Sequence, residues 1–234
     1  MSSLKYRNEI KYLISENELQ VLKRELDSFM TIDKNAVNGQ YLISSLYFDD
    51  YFNNGYYDVD DGNGEKDKFR IRIYDCDDGF IRLEHKIKKN NMTAKRSCLL
   101  DKDSAEIMIH GGYLRDIATQ DEVLKELTYR IMSERYKPVI IVEYERIPYV
   151  YKNGNVRITL DTNIRSSTDI HSFLGHYKKK MPILPLGKEL LEVKYDGFLP
   201  TFIYDCLNDL NLQQISFSKY YLCRKYNVKG GLLL

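Results

Sequence analysis

Residues 68–89 read KFRIRIYDCDDGFIRLEHKIKK. Two alternating runs, 68–75 and 80–89, flank Cys76-Asp77-Asp78-Gly79, and that composition predicts a β-hairpin. The polar positions of both runs are occupied by charges. Lys68, Arg70 and Arg72 share one face, with apolar Phe69 and Ile71 on the other. On the returning run Glu84, Lys86 and Lys88 share a face, and Ile87 lies between. The same period-two pattern recurs toward both termini: Glu9 and Lys11 around Ile10, Glu192 and Lys194 around Val193, and Arg157 between Val156 and Ile158.

The remaining segments can be read from this hairpin outward. Residues 4–14 alternate as a first strand. Ser15 and Glu18 form a capping box for a helix with Leu19, Leu22, Leu26 and Phe29 on one face. Residues 41–48 read as a strand, and 49–66 as a loop with a short helix. Residues 92–100 are a looser strand. Residues 103–111 and 121–135 are helical, the second with Leu124, Leu127 and Ile131 aligned, and Pro138 ends that region. Residues 139–151 and 155–161 form another hairpin around Asn153-Gly154. Residues 170–188 are irregular and 189–195 are a strand. Pro200 sits in the first turn of a helix running to about Leu210, and a last helix starts near Ser218. About eight strands and a few helices without βαβ alternation give an α+β fold, an antiparallel sheet or barrel with packed helices.

The chain has 234 residues, 35 Lys and Arg against 34 Asp and Glu, 43% hydrophobic and 29% charged residues. This is globular composition, read as a single unit over 1–229 with a tail at 230–234. The near-neutral balance argues against a general nucleic-acid binder. Cys76, Cys98, Cys206 and Cys223 are scattered, so reduced cytoplasmic thiols are expected, without a disulfide framework or zinc site. No apolar run reaches membrane-spanning length and no signal peptide is read. There is no P-loop motif and no nucleophile elbow. His85, His110, His171 and His176 lack ligand spacing, and His85 is expected to pack on the face opposite Lys86.

Ionic strand faces have two readings. One is a sheet with a wet side. The other is a closed barrel whose charged faces point inward. In the second, like charges on neighbouring strands require a neutraliser. A phosphate chain with a divalent cation supplies one: Arg and Lys bind phosphate, and Glu holds Mg²⁺ or Mn²⁺.

Nine stretches, in order over nearly the whole chain, carry a resemblance: RNEIKYLI (7–14), SLYFDD (45–50), KFRIRIY (68–74), LEHKIK (83–88), AKRS (94–97), VEYERIPY (142–149), VRITLD (156–161), LLEVKYDGFLP (190–200) and SFSKYYL (216–222). Glu9-x-Lys11 resembles the opening motif of the triphosphate tunnel metalloenzymes, the CYTH-like superfamily. The wider pattern resembles the VTC domain, the polyphosphate polymerase domain of the vacuolar transporter chaperone complex. The resemblance implies an eight-stranded antiparallel tunnel for a nucleoside triphosphate or polyphosphate. It implies Arg70, Arg72, Lys86, Arg146, Arg157 and Lys219 as catalytic groups, with Lys11, Lys95, Lys194 and Ser218 binding the triphosphate. Glu192 would hold Mn²⁺ or Mg²⁺, with Glu9 and Glu84 as further candidates. The chain departs from many superfamily members in carrying a single Glu before Lys11. Arg146 is out of phase with Glu143 and Glu145, so simple alternation does not place all three in one lumen.

Each feature has a plainer reading. Ser218-Lys219 could be helix N-cap chemistry, Lys95-Arg96 a surface turn, and Tyr51 to Tyr57 packing instead of base stacking. Lys178 to Lys180 reads as a solvated loop, or else as a polyanion exit or membrane-surface contact. The expected function is ATP-dependent polyphosphate synthesis. The alternatives are an inorganic triphosphatase and a non-catalytic polyphosphate or inositol-polyphosphate binding module. A bacterial relative could use a separately encoded membrane partner. The sequence fixes no oligomeric state.

Overall fold

Ser15 ends the first strand and starts the first helix. Its hydroxyl accepts from Glu18 N at 3.3 Å, and Glu18 Oε2 accepts from Ser15 N at 2.6 Å. Such reciprocal capping satisfies amides that a helix start leaves without partners. The computed structural model describes residues 4–60, 65–90, 92–116, 121–175 and 179–228; His176, Lys178 and the tail 230–234 lie outside them. The strands are β1 (Arg7–Ser15), β2 (Thr31–Ile32), β3 (Tyr41–Asp49), β4 (Glu65–Tyr74), β5 (Asp77–Lys89), β6 (Met92–Leu100), β7 (Lys137–Tyr151), β8 (Val156–Ser167), β9 (Met181–Pro182) and β10 (Lys188–Tyr195). The helices are α1 (Glu16–Phe29), α2 (Asn54–Asp60), α3 (Lys102–Ile109), α4 (Glu122–Glu134), α5 (Thr201–Asp209) and α6 (Lys219–Val228).

The strands run β7-β3-β4-β5-β6-β1-β10-β8, and β8 pairs back onto β7, closing an eight-stranded antiparallel barrel; β2 and β9 are two-residue additions at its margin. Closure removes the free edges that a large sheet would expose. It also turns one face of every strand inward. The inward face carries a Lys or Arg on every barrel strand but β3. Phe69, Ile71, Ile73 and Leu83 point outward and pack under α3 and α4 with Met108, Leu127 and Ile131. Ile158, Leu160, Leu191 and Val193 do the same under α1 and α5, against Leu22, Leu26, Ile203 and Leu207. A third apolar cluster lies where α6 meets the barrel, with Tyr220 and Cys223 against Ile43, Ile140 and Val142.

Two local expectations are corrected. The β4–β5 turn is Asp75-Cys76, both at positive φ (50° and 59°), with Tyr74 paired to Asp77. Two left-handed residues match the strand twist of a tight hairpin. Asp75 is anchored there by Oδ1 accepting from Leu42 N at 2.7 Å. Asp77, Asp78 and Gly79 therefore belong to β5. Pro200 is the N-cap of α5, just outside its first turn. At the β7–β8 hairpin Gly154 has φ 75°, and a Cβ there would stand 2.6 Å from the Phe198 carbonyl oxygen, so the position needs glycine.

Leu22 is fully buried in the cluster between α1 and the β8–β10 wall. Leu22→Ala is expected to cost about 3 kcal/mol, read as a lower denaturation midpoint with an unchanged slope in urea.

Candidate functional site

The barrel encloses a cavity of about 940 Å³. Every barrel strand but β3 places a Lys or Arg on its lining, and α6 adds Lys219; the carboxylates on the lining are Glu9 and Glu192. β3 contributes Tyr41, Ile43 and Tyr47 instead. The period-two charges of β1, β4, β5, β8 and β10 thus converge on one enclosed space.

Three anionic centres organise the wall. Glu84, fully buried, takes Arg70 at 2.6 Å, Lys95 at 2.6 Å and Arg72 at 3.5 Å. Burial alone would favour its neutral acid, but Arg72, Arg70 and Lys95 outweigh it and hold the carboxyl well below its usual range. Arg70 also donates to the Tyr47 hydroxyl at 2.7 Å, and Arg72 to Ser45 Oγ at 3.1 Å. Both guanidiniums are therefore fixed before any ligand arrives. Glu9 is the second centre. Its two oxygens take Lys86 at 2.8 and 3.0 Å, and Lys11 approaches at 3.1 Å. Against burial, Lys86 and Lys11 keep it ionised.

The third centre is a carboxylate pair. Arg146 grips Asp161 in a bidentate fork at 2.6 and 2.7 Å and reaches Glu192 at 3.2 Å. Lys219 bridges the same two acids at 2.6 and 2.7 Å, and Lys194 donates to Glu192 at 2.8 Å. Burial opposes the charge on Lys219, but Asp161 and Glu192 outweigh it and hold the ammonium above its ordinary value. Glu192 in turn is held well below the usual carboxylate range; burial acts the other way and is overcome by Lys194, Lys219, Lys11 and Arg146. Lys11 links this centre to Glu9, standing 3.6 Å from Glu192.

Tyr144 and Arg146 face the cavity, while Glu143 and Glu145 lie on the other side of β7, bonded to Ser44 and Arg165. The phase mismatch in the sequence reflects this split. Arg157 stands at the rim, paired to Asp33 at 2.6 Å. Ser218 caps α6 by accepting from Tyr221 N and also accepts from Lys68 Nζ, both at 3.3 Å, so both readings of Ser218 apply. Lys95 and Arg96 are mid-strand in β6, not a turn; Lys95 turns inward and Arg96 outward to Glu126. Lys180 is ion-paired to buried Glu143 instead of solvated. Of the aromatic stretch, Tyr56 is buried and stacked on Tyr221, whereas Tyr51, Phe52 and Tyr57 are exposed.

Sequence reasoning missed Asp161, Tyr47 and Tyr144, and left Lys68, placed on the face of Arg70, without a role. Asp161 was visible as the third member of the Arg157-Thr159-Asp161 face. Lys68 shares the face of Arg70 and has no ion-paired carboxylate among the described residues; burial, then Lys86, Lys11 and Lys66, push its ammonium down to about 7.

Glu9 and Glu192 offer hard oxygen ligands on the cavity wall, bridged by the Lys11 cation, and this donor set suits Mg²⁺ or Mn²⁺ with phosphate oxygens. Glu84 lies beneath its arginines and is less accessible. A second grouping, Asp67, His85 and Glu126, lies outside the barrel. Arg130 binds Asp67 at 2.9 Å, Arg96 binds Glu126, and His85 stacks on Phe69 at 4.0 Å. Two guanidiniums occupy the charge a metal would bring, so this network fastens α4 to the barrel wall.

Comparison with curated protein sequences gives no match. Among solved structures, a candidate adenylate cyclase from Bacillus halodurans is similar in fold, with a TM-score of 0.55 and 16% identity over 91% of this chain and 93% of that one. A candidate adenylyl cyclase from Hippeastrum, described as having a dominant triphosphatase activity, has a TM-score of 0.55 and 14% identity over 97% of each chain. A candidate adenylate cyclase from Vibrio parahaemolyticus has a TM-score of 0.52 and 11% identity over 94% of this chain and 98% of that one. The VTC domain family matches residues 6–227. With that match spanning the whole barrel and its C-terminal helix, the chain belongs to the VTC domain family.

Proposed function

We propose that the cavity binds the phosphate chain of a nucleoside triphosphate and transfers its terminal phosphoryl group to the end of a growing polyphosphate. The supporting observation is the enclosed, ion-paired lumen in which Arg70, Arg72, Lys86, Arg146 and Lys219 converge. Phosphoryl transfer needs mainly positioning and charge stabilisation, and no covalent protein nucleophile. Arg70 and Arg72, braced by Glu84, Tyr47 and Ser45, present a rigid clamp. A clamp already oriented reorganises little as charge develops. Lys11, Lys95, Lys194 and Ser218 line the remainder of the phosphate path, and Arg157 its rim. A Mg²⁺ or Mn²⁺ ion held by Glu192 and Glu9 would supply Lewis-acid polarisation of the phosphate. In the step itself a terminal oxygen of the acceptor chain attacks the γ-phosphorus. The bond to the bridging β–γ oxygen breaks, and a nucleoside diphosphate leaves.

A second reading keeps the site and replaces the acceptor with water, giving a triphosphatase. Its support is the dominant triphosphatase activity described for the Hippeastrum protein of similar fold. Products separate the two. ATP with Mn²⁺ should yield a phosphate ladder on a gel if the first reading holds, and free orthophosphate if the second does. Arg72→Ala should slow either reaction about 100-fold, equivalent to about 3 kcal/mol of transition-state stabilisation. A folded Arg72→Ala protein with unchanged turnover would refute both. Tripolyphosphate binding without turnover, insensitive to divalent ions and to Glu192→Ala, would mark a binding module.

Lys68 contributes a pH dependence. Its free-state value of about 7 leaves it largely neutral at pH 8. A bound phosphate raises that value, so binding takes up a proton between the two. Affinity for tripolyphosphate should therefore fall as pH rises from 7 to 9. Calorimetry at pH 8 in two buffers of different ionisation enthalpy should register the uptake, and Lys68→Met should reduce it without abolishing it, because burial also brings Lys86 down to about 7 and Lys95 to about 8 on the same lining.

A further inference from the structure

β8 stands between β10 and β7 in the wall, and its Thr159 lies directly opposite Glu192 on one side and Pro148 on the other. Thr159 faces the cavity, yet it is 2% exposed, and its Oγ1 is buried with no hydrogen-bond partner among the described residues. The other buried atoms of this kind belong to Arg96, Asp196 and Arg224, whose side chains are bonded through another atom. Thr159 has a single polar side-chain atom, and it is orphaned. The wall explains why. Glu192 reaches Arg146, on the far side of β8, at 3.2 Å, so its carboxylate lies across that strand beside Thr159. A carboxylate has about four lone-pair sites, and four cations already face this one. Lys219 at 2.7 Å and Lys11 at 3.6 Å approach Oε1; Lys194 at 2.8 Å and Arg146 at 3.2 Å approach Oε2. On the β7 side Pro148 has no N–H, and its carbonyl accepts from Asp33 N at 2.8 Å. A buried hydroxyl without a partner costs free energy that valine, of nearly the same shape, would not. The hydroxyl is unfavourable in the free protein, so its use lies in another state.

We infer that Thr159 is a positioning residue that donates its hydroxyl to Glu192 when a bound phosphate draws Lys194 or Lys11 away. The inference rests on the phosphoryl-transfer reading, because it needs an anion in the cavity to turn those lysines. One rearrangement then fills the vacancy on Glu192 from within the wall and satisfies the orphaned hydroxyl. Both changes favour the liganded state. Glu192 stays ionised and in place while its cations turn to phosphate.

The test measures tripolyphosphate binding by calorimetry, and thermal melting without ligand, for the unmodified protein, Thr159→Val and Thr159→Ser. Thr159→Val should bind tripolyphosphate about tenfold more weakly, the loss of one hydrogen bond to a charged group. Without ligand the same variant should melt about 2–4 °C higher. Thr159→Ser keeps the donor and should bind within about twofold of the unmodified protein. The opposite signs of the valine effects separate this role from packing, which would move affinity and melting together or neither. In the Glu192→Ala background Thr159→Val should change affinity by less than about twofold, because the acceptor is gone. Four results would each overturn the inference: undiminished affinity in Thr159→Val, equal weakening by valine and serine, a Thr159→Val protein that melts no higher, or a tenfold loss that persists without Glu192. Should Glu192→Ala fail to fold, the valine and serine comparison decides by itself. If the unmodified protein does not bind tripolyphosphate, the phosphoryl-transfer reading itself fails, an outcome distinct from tight binding that Thr159→Val leaves intact.

Discussion

Charge neutralisation inside the barrel is the constraint on which the rest of the structure depends. Removing an ion from water costs several kcal/mol even after relaxation, and a buried pair offsets this only with good geometry and further hydrogen bonds. Glu84, Glu9, Glu192 and Asp161 meet that condition by each taking more than one cation. Arg146 and Asp161 form a bidentate pair, the geometry in which guanidinium and carboxylate complement each other best. Once the ionic faces turn inward, the apolar faces have nowhere to go but outward. Helices α1, α3, α4 and α5 exist, in energetic terms, to cover them. The usual arrangement of a small barrel, apolar within and polar without, is inverted.

That inversion explains what could be read from the sequence. Period two fixes which residues share a face, so Arg70 with Arg72, Glu9 with Lys11 and Glu192 with Lys194 were legible as groups. The capping box at Ser15 and the Leu19-Leu22-Leu26 stripe were legible because both are local. Which face is the inside was not, because hydrophobicity argues for the wrong one; closure depends on β3 meeting β7 and on β1 meeting β10, pairings that no local signal encodes. The Asp75-Cys76 turn escaped for a related reason. Asp-Gly signals are strong, but here the Asp75 carboxylate is fixed by an amide on β3, a tertiary contact. Asp161 was overlooked because an acid at the end of VRITLD reads as a strand terminus until Arg146 and Lys219 are seen around it.

The barrel wall has a seam. β1 pairs with β10 over Asn8–Ser15, but with β6 only through Arg7–Thr93 and Asn8–Met92. Beyond that point the free edge of β1 bonds to the segment before α6: Ile215 N donates to the Lys11 carbonyl at 2.9 Å, and Tyr12 bridges Gln214. Lys11 Nζ returns to the Phe217 carbonyl at 2.8 Å. The C-terminal segment is thereby part of the wall, and it delivers Lys219 to Glu192 and Asp161. Tyr220 completes the seating by donating its hydroxyl to Asp49. The site is assembled from both ends of the chain, so the motifs that carry it are spread from Glu9 to Lys219.

The same pairing that stabilises the lumen governs how it can take a ligand. Every lysine that turns from a carboxylate to a phosphate leaves that carboxylate short of a partner in a poorly solvated wall. For Glu84 the loss is small, since Arg70 and Arg72 remain on it when Lys95 swings away. For Glu9 it is large, because its partners Lys86 and Lys11 are both flexible ammoniums. Glu192 is intermediate, with Arg146 fixed and Lys194 mobile. A divalent cation arriving with the phosphate would restore the balance at the two acids that need it, Glu9 and Glu192, and would be superfluous at the third. Charge bookkeeping alone thus separates the carboxylates that could share a metal from the one that braces the arginine clamp.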